Sequence, residues 1–148
     1  MLQPACEMDG DDPVVVTIGR LGAGKSLLAN RMLGKTDDDP NSFKVSSETE
    51  RLQPPDPEVK YGAWMDKKEN GYLWVVDAPG HDDVRGNDEE NREKVLGELK
   101  KLKAAHAFIL VKKADERIGG SDKKTLSILA EKFGRSEFIK RLIVVLSL

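Results

Sequence analysis

The sequence is short of several things, and each shortage removes a class of protein. Its 148 residues include a single cysteine, Cys6. No intrachain disulfide can form and no zinc-ligand spacing exists, which fits a reducing cytosol. No run is long or apolar enough to span a bilayer. The first segment, Met1 to Asp12, is acidic and lacks the basic, then apolar, layout of a signal peptide. Charge of one sign is also missing: 24 Lys and Arg stand against 26 Asp and Glu, a net charge of -2. A broad electrostatic pull toward nucleic acid or an anionic membrane is therefore not implied. Internal repeats and low-complexity stretches are absent.

What is present is enough for one domain with a real core. Met1 to Asp12 reads as a disordered acidic tail, and residues 13–148 as a single domain. Its most informative stretch is Gly19-Arg20-Leu21-Gly22-Ala23-Gly24-Lys25-Ser26, an intact GxxxxGK[ST] pattern. Val14 to Ile18 before it is a β-branched run that reads as a buried strand. Leu27, Leu28, Met32 and Leu33 after it give an apolar helical face, with Gly34 as the stop. Strand, glycine loop and helix in that order define a phosphate-binding loop. Backbone N–H groups of such a loop point at phosphate oxygens, and the helix N-terminus adds partial positive charge. Lys25 would reach the terminal phosphates, and the Ser26 hydroxyl would ligate Mg²⁺.

A second apolar run, Tyr72 to Val76, leads into Asp77-Ala78-Pro79-Gly80. An acidic residue at the tip of a core strand is the partner Mg²⁺ needs across from Ser26. Gly80, three positions on, is placed for its N–H to sense a γ-phosphate. The remaining chain alternates between helix and strand. Asp37 to Glu58 is a polar, Pro-bearing loop, and Val59 to Asp66 is a strand. Lys67 to Gly71 is a hairpin turn. Asn87 to Lys103 reads as a helix with Val95, Leu99 and Leu102 as its buried stripe. His106 to Val111 is a buried strand. Ser121 is the expected cap of a helix with apolar positions Leu126, Leu129, Ala130 and Phe133, ended by Gly134. Leu142 to Leu148 is the last strand. Such alternation implies a mainly parallel sheet covered on both faces.

These pieces resemble the G domain of the avirulence-induced-gene type, the GTPases of immunity-associated proteins. The matching residues are the phosphate loop through Leu33-Gly34, Phe43 with Ser46 to Thr49, Val75 to Gly80, Ala105 to Val111, Arg117, and Phe133-Gly134. The His106-to-Val111 strand and the Arg117 segment point most directly to this family. The resemblance implies an α/β phosphate-loop NTPase, a three-layer sandwich whose second strand runs antiparallel. It also implies GTP or GDP as ligand, Mg²⁺ as cofactor, and slow hydrolysis of GTP. Family members commonly form homodimers through the G domain in the GTP state, often near membranes. On this reading Gly19, Arg20, Leu21, Gly22, Ala23, Gly24, Lys25, Ser26 and Leu27 hold the nucleotide, together with Thr49 and Gly80. Ser26, Thr49 and Asp77 complete the Mg²⁺ shell.

Three features depart from the family pattern. The guanine-reading T/N-K-x-D segment that follows a strand like Leu142 to Leu146 is not reached before Leu148. The expected domain is therefore C-terminally incomplete, and nucleotide affinity is expected to rest on the phosphates. Leu21 stands where small residues are usual and would crowd an incoming arginine finger. His81 follows Gly80, as in translation elongation factors, where that His positions the attacking water. It joins Lys25 as a catalytic candidate, with a solvated loop His as the plainer reading. Thr49 has Thr36 as competitor for the switch threonine. His106 reads as structural, and Arg117 as either an interface cation or an exposed arginine without function. Trp64 and Trp74 read as sheet aromatics, and Lys123-Lys124 as helix surface. Two further functions stay open at this point: an ATP-using phosphoryl-transfer enzyme, and a non-catalytic interaction fragment without base recognition.

Overall fold

The computed structural model describes residues 12–20, 22–36, 60–66, 71–77, 93, 97, 99, 100, 102 and 104–148. The strands are β1 (Val14–Gly19), β2 (Lys60–Asp66), β3 (Gly71–Asp77), β4 (Ala107–Lys113) and β5 (Leu142–Ser147). They form one sheet in the order β2-β3-β1-β4-β5. β1 is central and parallel to β3 and β4, and β5 is parallel to β4. β2 alone is antiparallel, pairing Asp66 with Gly71 at the end of its ladder. The helices with described bounds are α1 (Lys25–Met32), α2 (Gly120–Phe133) and α3 (Arg135–Arg141). Glu93, Gly97, Leu99 and Lys100 are also helical, within the segment expected to form a helix. The three-layer α/β phosphate-loop architecture, with a single antiparallel strand, is thus the one the sequence implies.

Strand alternation sorts the core into two layers. Val14, Val16 and Ile18 of β1, Trp74 and Val76 of β3, and Phe108 and Leu110 of β4 face one side. There they meet Leu99, Leu102, Leu129 and Phe138. Phe108 sits between Phe133 and Phe138, with ring centroids 5.1 and 4.8 Å away and tilted planes, an arrangement that favours aromatic pairs. Val75, Ile109 and Val111 face the other side, toward α1 through Ala29, Leu33, Leu28 and Met32. The three central strands are buried on both faces, which is why they read as continuous apolar runs.

Some local expectations need correction. Leu27, which the apolar pattern puts on the buried face of α1, is 41% exposed, and Ala29 takes the buried position instead. α2 is capped at Gly119, not Ser121. The cause is Asp122, whose Oδ2 accepts the Gly119 N–H at 2.8 Å, so the helix starts one residue before Ser121. α3 was not anticipated; Gly134, at φ 85°, both ends α2 and starts it. Of the expected stripe, Leu99 and Leu102 are buried, while Val95 lies outside the described residues. Asp12, assigned to the tail, accepts a hydrogen bond from Trp74 Nε1 at 3.1 Å. His106 is structural: the Val14 N–H donates to its Nδ1 at 3.0 Å, and its own N–H returns to the Val14 carbonyl. Among the described residues, no helix is long and apolar enough to cross a membrane.

Candidate phosphate and magnesium site

The site is assembled where β1 ends. Gly19 has φ 146°, and a Cβ there would lie 2.4 Å from the Val111 carbonyl oxygen of β4. Only glycine can bring the strand end this close to its neighbour before the loop turns away. Gly24, at φ 97°, is the N-cap of α1. Between them the Arg20 carbonyl folds inward and accepts two donors, the Ala23 N–H at 3.2 Å and Lys25 Nζ at 2.8 Å. The loop therefore wraps around its own lysine, and α1 begins at that lysine with its first N–H groups unspent within the helix.

Lys25 is 6% exposed. Burial pushes its ammonium below the ordinary lysine pKa, and the nearby Asp77 carboxylate partly opposes that shift. A buried cation with a pKa lowered by desolvation makes Lys25 a candidate anion-binding residue. Ser26, next on α1, donates its hydroxyl to Asp77 Oδ2 at 2.6 Å. Asp77 is buried at the tip of β3. Thr17, its register partner on β1, donates to Asp77 Oδ1 at 2.9 Å. Lys25 and Ser26 are therefore brought together with Asp77, which lies 51 positions beyond Ser26 in the chain.

Among the described residues, no group of three or more His, Cys, Asp or Glu could hold a metal ion. Mg²⁺ needs no such group, because it keeps several waters and pairs one or two protein oxygens with substrate phosphates. Ser26 and Asp77 have the chemistry for it: a hydroxyl whose proton is directed to a carboxylate leaves its lone pairs for a cation. Thr36 is exposed at the end of the α1 segment. Leu21, Thr49, Gly80 and His81 lie outside the described residues.

Two polar residues beside the site carried no sequence signal strong enough to single them out. Thr17 hid in a β-branched run, and only its pairing with Asp77 distinguishes it. Ser147, at the end of β5, donates to the Ala23 carbonyl of the loop at 3.0 Å, with the Lys112 carbonyl at 3.2 Å as alternative. It thereby ties β5 to the phosphate loop. Arg117 is exposed, and its described contact is through its carbonyl, which accepts Lys112 Nζ at 3.0 Å.

A five-stranded sheet with one antiparallel strand, a glycine loop at the end of its central strand and an Asp at the tip of the next defines a phosphate-loop G domain. The AIG1 family model matches residues 14–148, and the chain belongs to that family. The fold is similar to Toc33 from Arabidopsis thaliana. A dimerization-deficient Toc33 mutant is 18% identical with a TM-score of 0.66, covering 93% of this chain and 51% of that one. Toc33 in complex with GDP and Mg²⁺ is 18% identical with a TM-score of 0.63, covering 91% and 50%. A bacterial selenocysteine-specific elongation factor is 25% identical with a TM-score of 0.57, covering 91% and 19%. The chain thus spans about half the length of the Toc33 structures it matches. A comparison with curated protein sequences found no match.

Proposed function

We propose that residues 13–148 form part of a G domain that binds GTP and GDP with Mg²⁺, hydrolyses GTP slowly, and uses the nucleotide state to control switch loops and self-association. The observation that carries this reading is a buried ammonium, Lys25, at the head of a helix beside the Ser26–Asp77 pair. Membership of the AIG1 family, and the GDP and Mg²⁺ bound by Toc33, support it. Toc33 also has a dimerization-deficient mutant among the similar structures, which supports self-association.

In this reading the backbone from Gly19 to Leu27 cradles the phosphates, and Lys25 offsets β- and γ-phosphate charge. Asp77 holds the Ser26 hydroxyl proton, so the hydroxyl lone pairs would be free to ligate the cation. Ser26 and Asp77 would hold Mg²⁺, which would supply neutralisation of the charge that develops on the phosphates. Thr49 completes that shell, Gly80 senses the γ-phosphate, and His81 positions the water for in-line attack. Most of the rate enhancement then comes from positioning and charge neutralisation.

Titration with a fluorescent guanine nucleotide, with and without Mg²⁺, tests the assignment. Lys25→Ala should weaken binding at least tenfold, on the order of 1.4 kcal/mol, while circular dichroism stays unchanged. Full affinity in a folded Lys25→Ala protein would overturn the site. Competition by ATP stronger than that by GTP would favour the ATP-using alternative, because affinity carried by the phosphates already predicts little base discrimination.

A further inference from the structure

We infer that Thr17 is a positioning residue for the Mg²⁺ site, acting through Asp77. The inference rests on the phosphate-loop reading above and extends it to a residue inside β1. Thr17 is fully buried, at 0% exposure, in a strand whose other buried side chains, Val14, Val16 and Ile18, are aliphatic. A threonine placed there for packing alone could be valine. Its hydroxyl instead reaches Asp77 Oδ1 at 2.9 Å, closer than its other acceptor, the Val76 carbonyl at 3.4 Å. The parallel register sets Thr17 directly beside Asp77, so strand pairing itself delivers the hydroxyl.

The consequence is geometric. Ser26 holds one carboxylate oxygen and Thr17 the other. Two donors on two oxygens fix the plane of the carboxylate, where one donor alone leaves it free to rotate. Fixing that plane fixes the direction of the Ser26 hydroxyl, and with it the lone pairs that face a cation. Thr17 touches neither nucleotide nor metal. Outer partners of this kind typically cost about 10–100-fold in metal affinity when removed.

Thr17→Val keeps the shape and deletes the donor, and Thr17→Ser restores the donor without the methyl. The experiment measures the Mg²⁺ concentration needed for half-maximal retention of fluorescent GDP, alongside thermal melting without nucleotide. Thr17→Val should raise the Mg²⁺ midpoint by about tenfold or more, and Thr17→Ser should return it to within about threefold of wild type. Should Thr17→Val not fold, Thr17→Ala carries the same readout. A lowered melting temperature with an unchanged Mg²⁺ midpoint would make Thr17 a packing residue and overturn the inference alone. Retention of nucleotide by the wild type that ignores Mg²⁺ would overturn the underlying reading as well.

Discussion

Lys25 is held in a place that a lysine does not choose for stability. Its ammonium is buried, and the carbonyl of Arg20 and the charge of Asp77 offset only part of the lost hydration. The folded-state pKa therefore lies below the unfolded one. The native state binds fewer protons than the unfolded state between those two values, so stability rises with pH across that alkaline window. At neutral pH the buried charge is a net cost. Lys25→Met should therefore leave the nucleotide-free protein melting no lower than wild type at pH 7. Its advantage should shrink as the pH approaches the ordinary lysine value. Thermal melts of both proteins at neutral and alkaline pH check this, and a clear loss of stability at pH 7 would mean that the Arg20 contact outweighs burial. Of this site, the loop, Lys25, Ser26 and Asp77 were legible from residue types and spacing. Thr17 was not, because a threonine among valines looks like any β-branched strand residue until its neighbour across the ladder is known.

Elements are fastened to one another by polar contacts that no periodicity reveals. Lys112, near the end of β4, is 1% exposed and pairs with the fully buried Asp122 of α2 at 2.8 Å. Glu116 lies 3.7 Å from the same ammonium. The pair fixes where α2 begins, because Asp122 also receives the Gly119 N–H. This is why the expected cap at Ser121 was displaced. Removing one partner of a buried ion pair leaves a charge without its counter-charge in a low-dielectric interior. Lys112→Met should then cost about 3–5 kcal/mol in urea unfolding. Lys112→Met with Asp122→Leu should recover most of that loss, since two apolar groups can replace a buried pair at little cost. A single variant as stable as wild type would show that the carboxylate finds compensation elsewhere. The short helix α3 went unread for a related reason: seven residues carry too little period, and Phe138 is buried by tertiary packing in the core that includes Phe108.

At the scale of the molecule, the central strands are buried on both faces, whereas β5, the outermost described strand on its side of the sheet, is partly open. Ile143, Val144 and Leu146 are 49%, 51% and 65% exposed on the terminal strand of the sheet. An apolar edge strand offers both unpaired backbone groups and a sticky surface to a second chain. The 148-residue chain should therefore self-associate as its concentration rises. Val144→Lys should reduce that association in static light scattering while leaving the circular dichroism spectrum intact. Equal scattering from both proteins would place the association elsewhere. The contact would be distinct from any nucleotide-controlled dimer, which the presence of GDP or a GTP analogue should alter and β5 charge should not.

Local chemistry alone determined a good deal of this protein. The glycine spacing of the loop, the β-branched and apolar runs, and the Asp after the second core strand announce a phosphate-binding α/β domain, because each obeys a short-range rule of conformation or ligand chemistry. The parallel order of the sheet follows from strands alternating with helices. Tertiary structure alone decided which side chains share a carboxylate, which glycine must stay bare beside Val111, and which hydroxyl of β5 reaches the loop. Those choices depend on residues tens of positions apart in the chain. Their approach is set by strand order and register, which no local pattern encodes.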